Sequence, residues 1–264
     1  KRASDGFFEF DEHSIQKTTE SIDACNRIIS KRYGHSGNIK NAMERQINKN
    51  KALTKGDFFF NCLMPNDVLE EPAIMNLALS PQLLKLVSNF SDMSPQLHSV
   101  GLMISQPSTH KLRDSQLPHL DPHVDAVKVF VNVEPVTVDN GPFTFLSSVN
   151  SMRVKNALPL GREAELSNTI PNVLGESWER LTHTNIGPAG KGVVCNTSSC
   201  IHYGSRSTSH MRVCLVFSYA IFMNYNWQQT KGIESSIELK AYPEIRSKYS
   251  TDEVSTSILA LDEF

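Results

Sequence analysis

His119-Leu-Asp121 sets an imidazole and a carboxylate two residues apart. On an extended strand, side chains at i and i+2 leave the same face. That pair is two-thirds of a 2-His-1-carboxylate facial triad, the donor set that holds non-heme Fe(II) and leaves positions open for chemistry. The third ligand has to be a distant His returned by the fold. His202 is the candidate, at the end of Cys195-Asn-Thr-Ser-Ser-Cys-Ile-His202. An H-x-D triplet is a weak signal in a chain with nine His, and a second one, His123-Val-Asp125, follows directly. All four positions share one face of an unbroken strand, so alternation does not separate the pairs. Pro122 favours the first, because a proline removes a ladder hydrogen bond and suits a strand's end. His210 is a weaker rival to His202. The plain alternatives are a surface polar pair and a turn histidine, so the neighbouring elements have to carry the argument.

Those elements are strands. Val127 to Val133 alternates, Asp139-Asn-Gly141 is a hairpin-type turn signal, and Pro142 to Leu146 follows it. Arg212 opens the run RVCLVFSYA, which is strongly β-prone. Strands are expected at about 100–105, 117–121, 127–133, 142–146, 192–196 and 211–220. Ahead of them, residues 9–33 predict an amphipathic helix on the stripe Ile15, Ile22, Cys25 and Ile29. Residues 66–90 predict more helix, with Ser80-Pro81 as cap and first turn of the stretch 82–89. Residues 40–55 are locally basic, which reads as a solvated helix face more readily than as a phosphate-binding lid. Residues 147–190 form a long insert, expected to border the site and to be partly helical at 162–166. The tail, 231–264, is polar with helical pieces. The expected class is mainly β with flanking helices (α+β), with two antiparallel sheets face to face in a double-stranded β-helix (jelly-roll, cupin-like) core.

Order and spacing together resemble the phytanoyl-CoA dioxygenase-like family of Fe(II)/2-oxoglutarate oxygenases. The matching pieces are His119-Leu-Asp121, Lys128-Val-Phe130, Asp139-Asn-Gly-Pro142, Thr197-Ser-Ser-Cys-Ile-His202 and Arg212, across roughly residues 83–220. The seven-residue step from Asp121 to Lys128 is the family's spacing and again favours the first H-x-D. The resemblance implies Fe(II) on His119, Asp121 and His202, with 2-oxoglutarate and O2 as co-substrates. It implies Arg212 as the partner of the distal 2-oxoglutarate carboxylate, with Gln116 and Phe130 bordering that co-substrate. Independently, an Arg inside an apolar strand is costly unless paired. Lys128 and Asn132 share the face of Phe130 and are expected to meet substrate; the plain reading of Lys128 is a lysine snorkelling at a sheet edge. The implied reaction is hydroxylation of a small molecule coupled to decarboxylation of 2-oxoglutarate to succinate and CO2. Related halogenases lack the carboxylate that Asp121 supplies. The chain departs from the family at Ser147-Ser-Val-Asn150, where members read P-G-S-H, and at Gly204, where some carry a hydroxyl. Two other readings stay open at this point: an inactive jelly-roll binding protein, and a cupin-type metalloenzyme that does not use 2-oxoglutarate.

Composition sets the outer bounds. At 264 residues the chain suits one large domain with a sizeable core. Hydrophobic residues at 39% and charged residues at 20% are ordinary for a globular protein. A net charge of −2 gives no electrostatic footprint for nucleic acid or an anionic membrane. Five Cys without C-x-x-C spacing argue for a reduced compartment, cytoplasmic by default, and against a disulfide or zinc framework. No apolar run approaches membrane-spanning length and no signal-peptide pattern opens the sequence. Monomer and homodimer are not separated.

Overall fold

The computed structural model describes residues 4–34, 59–90, 95–107, 111–121, 126–158, 165–220, 237–238 and 243–249. The second H-x-D pair, the basic stretch 40–55 and most of the 231–264 tail lie outside them.

The larger sheet is antiparallel throughout. It contains β1 (Phe7–Phe10), β2 (Phe59–Asn61), β3 (Gln96–Ser105), β4 (Ala126–Asn132), β7 (Gly192–Asn196), β9 (Arg212–Ala220) and β10 (Ile237–Glu238), ordered β1-β7-β4-β9-β3-β10 with β2 also on β3. The smaller sheet places β5 (Thr144–Leu146) between β6 (Thr182–Thr184) and β8 (His202–Tyr203). Period-2 alternation gives each central strand of the large sheet two different faces. Val127, Val129 and Val131 of β4, with Val213, Leu215, Phe217 and Tyr219 of β9, enter the main core. Opposite them, Phe130 packs with Phe143, Phe145, Val193, Cys195 and Cys200 between the two sheets.

Helices close the outer faces. The main core is completed by α1 (Thr18–Tyr33), α2 (Pro65–Glu70), α3 (Pro72–Ala78) and α4 (Pro81–Ser88). Each of the last three opens on a proline, whose missing N–H costs nothing in a first turn. Ser80 caps α4 as expected, its Oγ accepting from Leu83 N at 3.3 Å. The small sheet's outer side is covered by α5 (Ser148–Ala157) and α6 (Leu166–Leu174), where Leu146 and Ile201 meet Val154, Leu166 and Ile170. The last described helix, α7 (Pro243–Tyr249), ties to α2 through Tyr249 Oη donating to Val68 O at 2.9 Å.

Several expectations change. The helix expected from residue 9 starts at Thr18, and Phe7–Phe10 is instead an edge strand paired to β7. Asp11 breaks the two apart, its Oδ1 accepting from His13 N and Ser14 N. Residues 117–121 are extended but pair only through one bridge, His119 to His202. Asp139-Asn-Gly141 is not a hairpin: β4 and β5 belong to different sheets, and the turn carries the chain between them. Gly141 sits at φ 65°, where a Cβ would lie 2.3 Å from Ser207 N, so only glycine fits. The family's P-G-S-H position becomes a helix start, with Ser147 Oγ accepting from Asn150 N at 3.4 Å.

Phe145 is fully buried between the sheets, against Phe7 and Phe143. Phe145→Ala is expected to cost about 3–5 kcal/mol, read as a lowered midpoint in urea denaturation at unchanged slope. A cost under about 1 kcal/mol would mean that this layer does not hold the sheets together.

Candidate metal centre

Backbone pairing assembles the site. His119 N donates to His202 O at 3.0 Å and His202 N returns to His119 O at 2.9 Å. This bridge sets the two imidazoles side by side, ring centroids 4.2 Å apart. Asp121 is fixed one step on, its N–H donating to Thr197 O at 3.0 Å, while Thr197 N reaches back to Ala126 O at 3.0 Å. Two stretches distant in sequence, residues 119–121 with Ala126 and residues 197–202, therefore meet at one corner between the sheets. Further bonds hold the flanks: Gly204 N donates to Ser115 O at 3.0 Å and Arg206 Nε to Gln116 O at 2.6 Å.

His119, Asp121 and His202 offer ligand atoms that all lie within 4.8 Å of one another. Both histidines are oriented by the same local device. Nδ1 of His119 faces Leu117 O at 2.8 Å, and Nδ1 of His202 faces Cys200 O at 2.9 Å. A carbonyl only accepts, so each Nδ1 carries the proton and each Nε2 keeps its lone pair. Burial pushes the His202 imidazole down to about 3, partly opposed by Asp121, so the ring is neutral. Burial pushes the Asp121 carboxyl up, but the Lys128 ammonium and a hydrogen bond from Thr197 outweigh it and hold it well below the usual carboxylate range. Two neutral imidazoles and one ionised carboxylate are the protonation states that bind a divalent metal.

These residues open onto a cavity of about 140 Å³ that Lys128, Phe130 and Arg212 also line. Arg212 is 5% exposed. Its Nη2 donates to Ser205 Oγ at 3.2 Å and Ser105 Oγ at 3.4 Å, while the buried Nε has no partner. Among the described residues no carboxylate pairs with it, and burial pulls its pKa down. Serine hydroxyls do not neutralise a buried guanidinium, so the cavity is built for an anion at that end. Gly204 lies beside the guanidinium: a Cβ there would make ordinary contact, at 3.5 Å, with both terminal nitrogens of Arg212. The next residue, Ser205, is held at φ 58° with its hydroxyl on Arg212 Nη2.

Phe130 stacks on Phe143, centroids 3.9 Å apart, and walls the cavity. Lys128 lines the cavity, with its ammonium 2.7 Å from Asp121 Oδ2. Gln116 is buried with its Nε2 on Ser205 O at 2.9 Å, bracing the loop beside Arg212 rather than lining the cavity. Asn132 exchanges amide contacts with Asn185, whose Nδ2 donates to its Oδ1 at 3.0 Å, and lies outside the cavity lining. His210 bonds Ser209 Oγ through Nδ1 in an exposed turn, away from the cluster. None of the described lining residues belongs to the 147–190 insert, whose helices α5 and α6 pack on the small sheet's outer side and whose Thr182–Thr184 forms one of that sheet's edge strands. Sequence reasoning did not pick out Ser105 and Ser205. Their hydroxyls are 2.8 Å apart across a hundred residues, a contact that leaves no local pattern.

The protonation states predict how the metal-free protein responds to acid. His202 stays neutral when folded down to pH about 3 but takes up a proton near 6.5 when unfolded. Below about 6.5 the unfolded chain binds more protons, so stability falls with pH by up to about 1.4 kcal/mol per unit. Asp121, with its folded pKa lowered, adds a loss in the same direction below its ordinary 3.8. Urea denaturation of chelator-treated protein from pH 7 to 4 measures this. His202→Asn is expected to flatten the curve between 6.5 and 4; an unchanged slope would show that His202 is not the group responsible.

No protein-family model matches the sequence, and no curated protein matches it. Solved structures do. The non-heme α-ketoglutarate-dependent epimerase SnoN from nogalamycin biosynthesis aligns at TM-score 0.50 and 13% identity, over 89% of this chain and 89% of its own. The non-heme α-ketoglutarate-dependent carbocyclase SnoK from nogalamycin biosynthesis aligns at TM-score 0.50 and 12% identity, over 82% of this chain and 79% of its own. At such identity the likeness is one of fold: these antiparallel sheets and flanking helices follow the architecture of non-heme α-ketoglutarate-dependent enzymes.

Proposed function

We propose that this protein is a non-heme Fe(II)/2-oxoglutarate-dependent oxygenase that hydroxylates a small molecule, on a double-stranded β-helix core. The observation that carries the reading is Arg212, a buried guanidinium with no acidic partner among the described residues, lining the same cavity as a complete His-Asp-His donor set. A metalloenzyme without 2-oxoglutarate needs the donor set and not the arginine. A binding protein that has lost its chemistry has no need to keep both.

His119, Asp121 and His202 would hold the iron through two Nε2 atoms and a carboxylate oxygen. Bound iron supplies the activation of O2, coupled to decarboxylation of 2-oxoglutarate to succinate and CO2. Arg212 pairs the distal carboxylate of 2-oxoglutarate, with the Ser105 and Ser205 hydroxyls holding the guanidinium in place. Phe130 and Phe143 keep water from that flank. The fold does not choose the reaction, since the same architecture carries an epimerase and a carbocyclase. Hydroxylation is favoured by Asp121, which fills the position that related halogenases leave to halide.

Anaerobic addition of Fe(II) and 2-oxoglutarate to the metal-free protein tests this directly. A weak visible charge-transfer band from the chelate is expected in wild type. Arg212→Ala is expected to weaken 2-oxoglutarate binding by about 2–5 kcal/mol, at least roughly thirtyfold, with metal binding retained. Wild type that binds metal and shows no band would end the oxygenase reading.

A further inference from the structure

The Asp121 carboxylate is divided between two neighbours. Oδ2 meets the Lys128 ammonium at 2.7 Å, whereas Oδ1 lies 3.9 Å from His202 Nε2, on the ligand side. Lys128 is well anchored for this: it sits inside β4, paired to Cys195 of β7 and Ser218 of β9. The Asp121 backbone is fixed independently by Thr197 O. The contact therefore joins two segments whose backbones are each hydrogen-bonded in place.

We propose that Lys128 is a positioning residue that restricts Asp121 to one oxygen on the metal, an inference that rests on the metal reading above. A carboxylate beside a divalent cation binds through one oxygen or through both. Using both would fill a coordination position that an open-site enzyme keeps for its co-substrate. An ion pair at 2.7 Å competes with the metal for Oδ2 and leaves Oδ1 as the ligand. The same ammonium adds positive charge beside the ion. It opposes the metal and favours a dianionic second ligand. Removing Lys128 should move the two affinities in opposite directions, which loss of packing or local unfolding does not do.

Co(II) is the probe, because its visible bands report coordination number without turnover. Metal-free wild type, Lys128→Met and Lys128→Arg are titrated first with Co(II) and then with 2-oxoglutarate, with thermal melts confirming that each is folded. Lys128→Met is expected to bind Co(II) about tenfold more tightly and 2-oxoglutarate about tenfold more weakly, with weaker visible bands as coordination rises. Lys128→Arg keeps the charge and is expected to restore both affinities toward wild type. If Lys128→Met weakens both ligands or shifts neither, the positioning role is overturned while the metal site stands. Wild type that takes up no Co(II) would instead overturn the metal reading, and this inference with it.

Discussion

Keeping a carboxylate ionised away from water requires fixed positive charge and donors around it, and Asp121 is the residue on which that requirement falls. Its neighbours answer it from separate parts of the chain: Lys128 from β4 and Thr197 from the turn after β7. Each must arrive at a particular depth and angle, so the loops around the site are tied by reciprocal backbone bonds instead of being left to side-chain contacts alone. The bridge between His119 and His202 is the shortest statement of this constraint. Two residues far apart in sequence exchange both hydrogen bonds, and their imidazoles have no choice but to share a face.

The two faces of the large sheet divide the work. One is an apolar layer against four helices, built from valines and aromatics that alternate along β4 and β9. The other carries the polar and charged groups that the first could not tolerate. Arg212 and Lys128 sit on strands whose alternate residues are deep in the core, so a one-residue slip would place a guanidinium or an ammonium among the helices. Register in this sheet is thus specified by charge as well as by apolar pattern. A buried guanidinium without its counter-ion also destabilises the ligand-free protein, a cost that a bound anion relieves.

Much of this was legible in the sequence. His119 and Asp121 announce themselves because their spacing fits a strand and their types fit a metal. Arg212 does so because a charge heading an apolar run needs a partner. Ser80-Pro81 marked a helix start for the same kind of local reason. The misses share a cause. Phe7–Phe10, Thr182–Thr184 and His202–Tyr203 are too short to show a period, and become strands only through partners elsewhere in the chain. Alternation puts Asn132 on the face of Phe130 but says nothing about which neighbour occupies its amide, and Asn185 does.

Residue identity and spacing set the chemistry available: donor types, their strand-compatible spacing, and the charge that an apolar strand must compensate. These are local properties, written in residue identity and in periods of two. Tertiary structure alone decided the pairings. It set the Lys128 ammonium on Asp121, put the Ser105 and Ser205 hydroxyls on Arg212, and turned Asp139-Asn-Gly141 into a crossing between sheets. The physical reason is reach. A lysine or arginine head group lies several ångströms from its own Cα and meets whichever segment the fold brings there, and that depends on long-range strand pairing with no trace in the neighbouring residues.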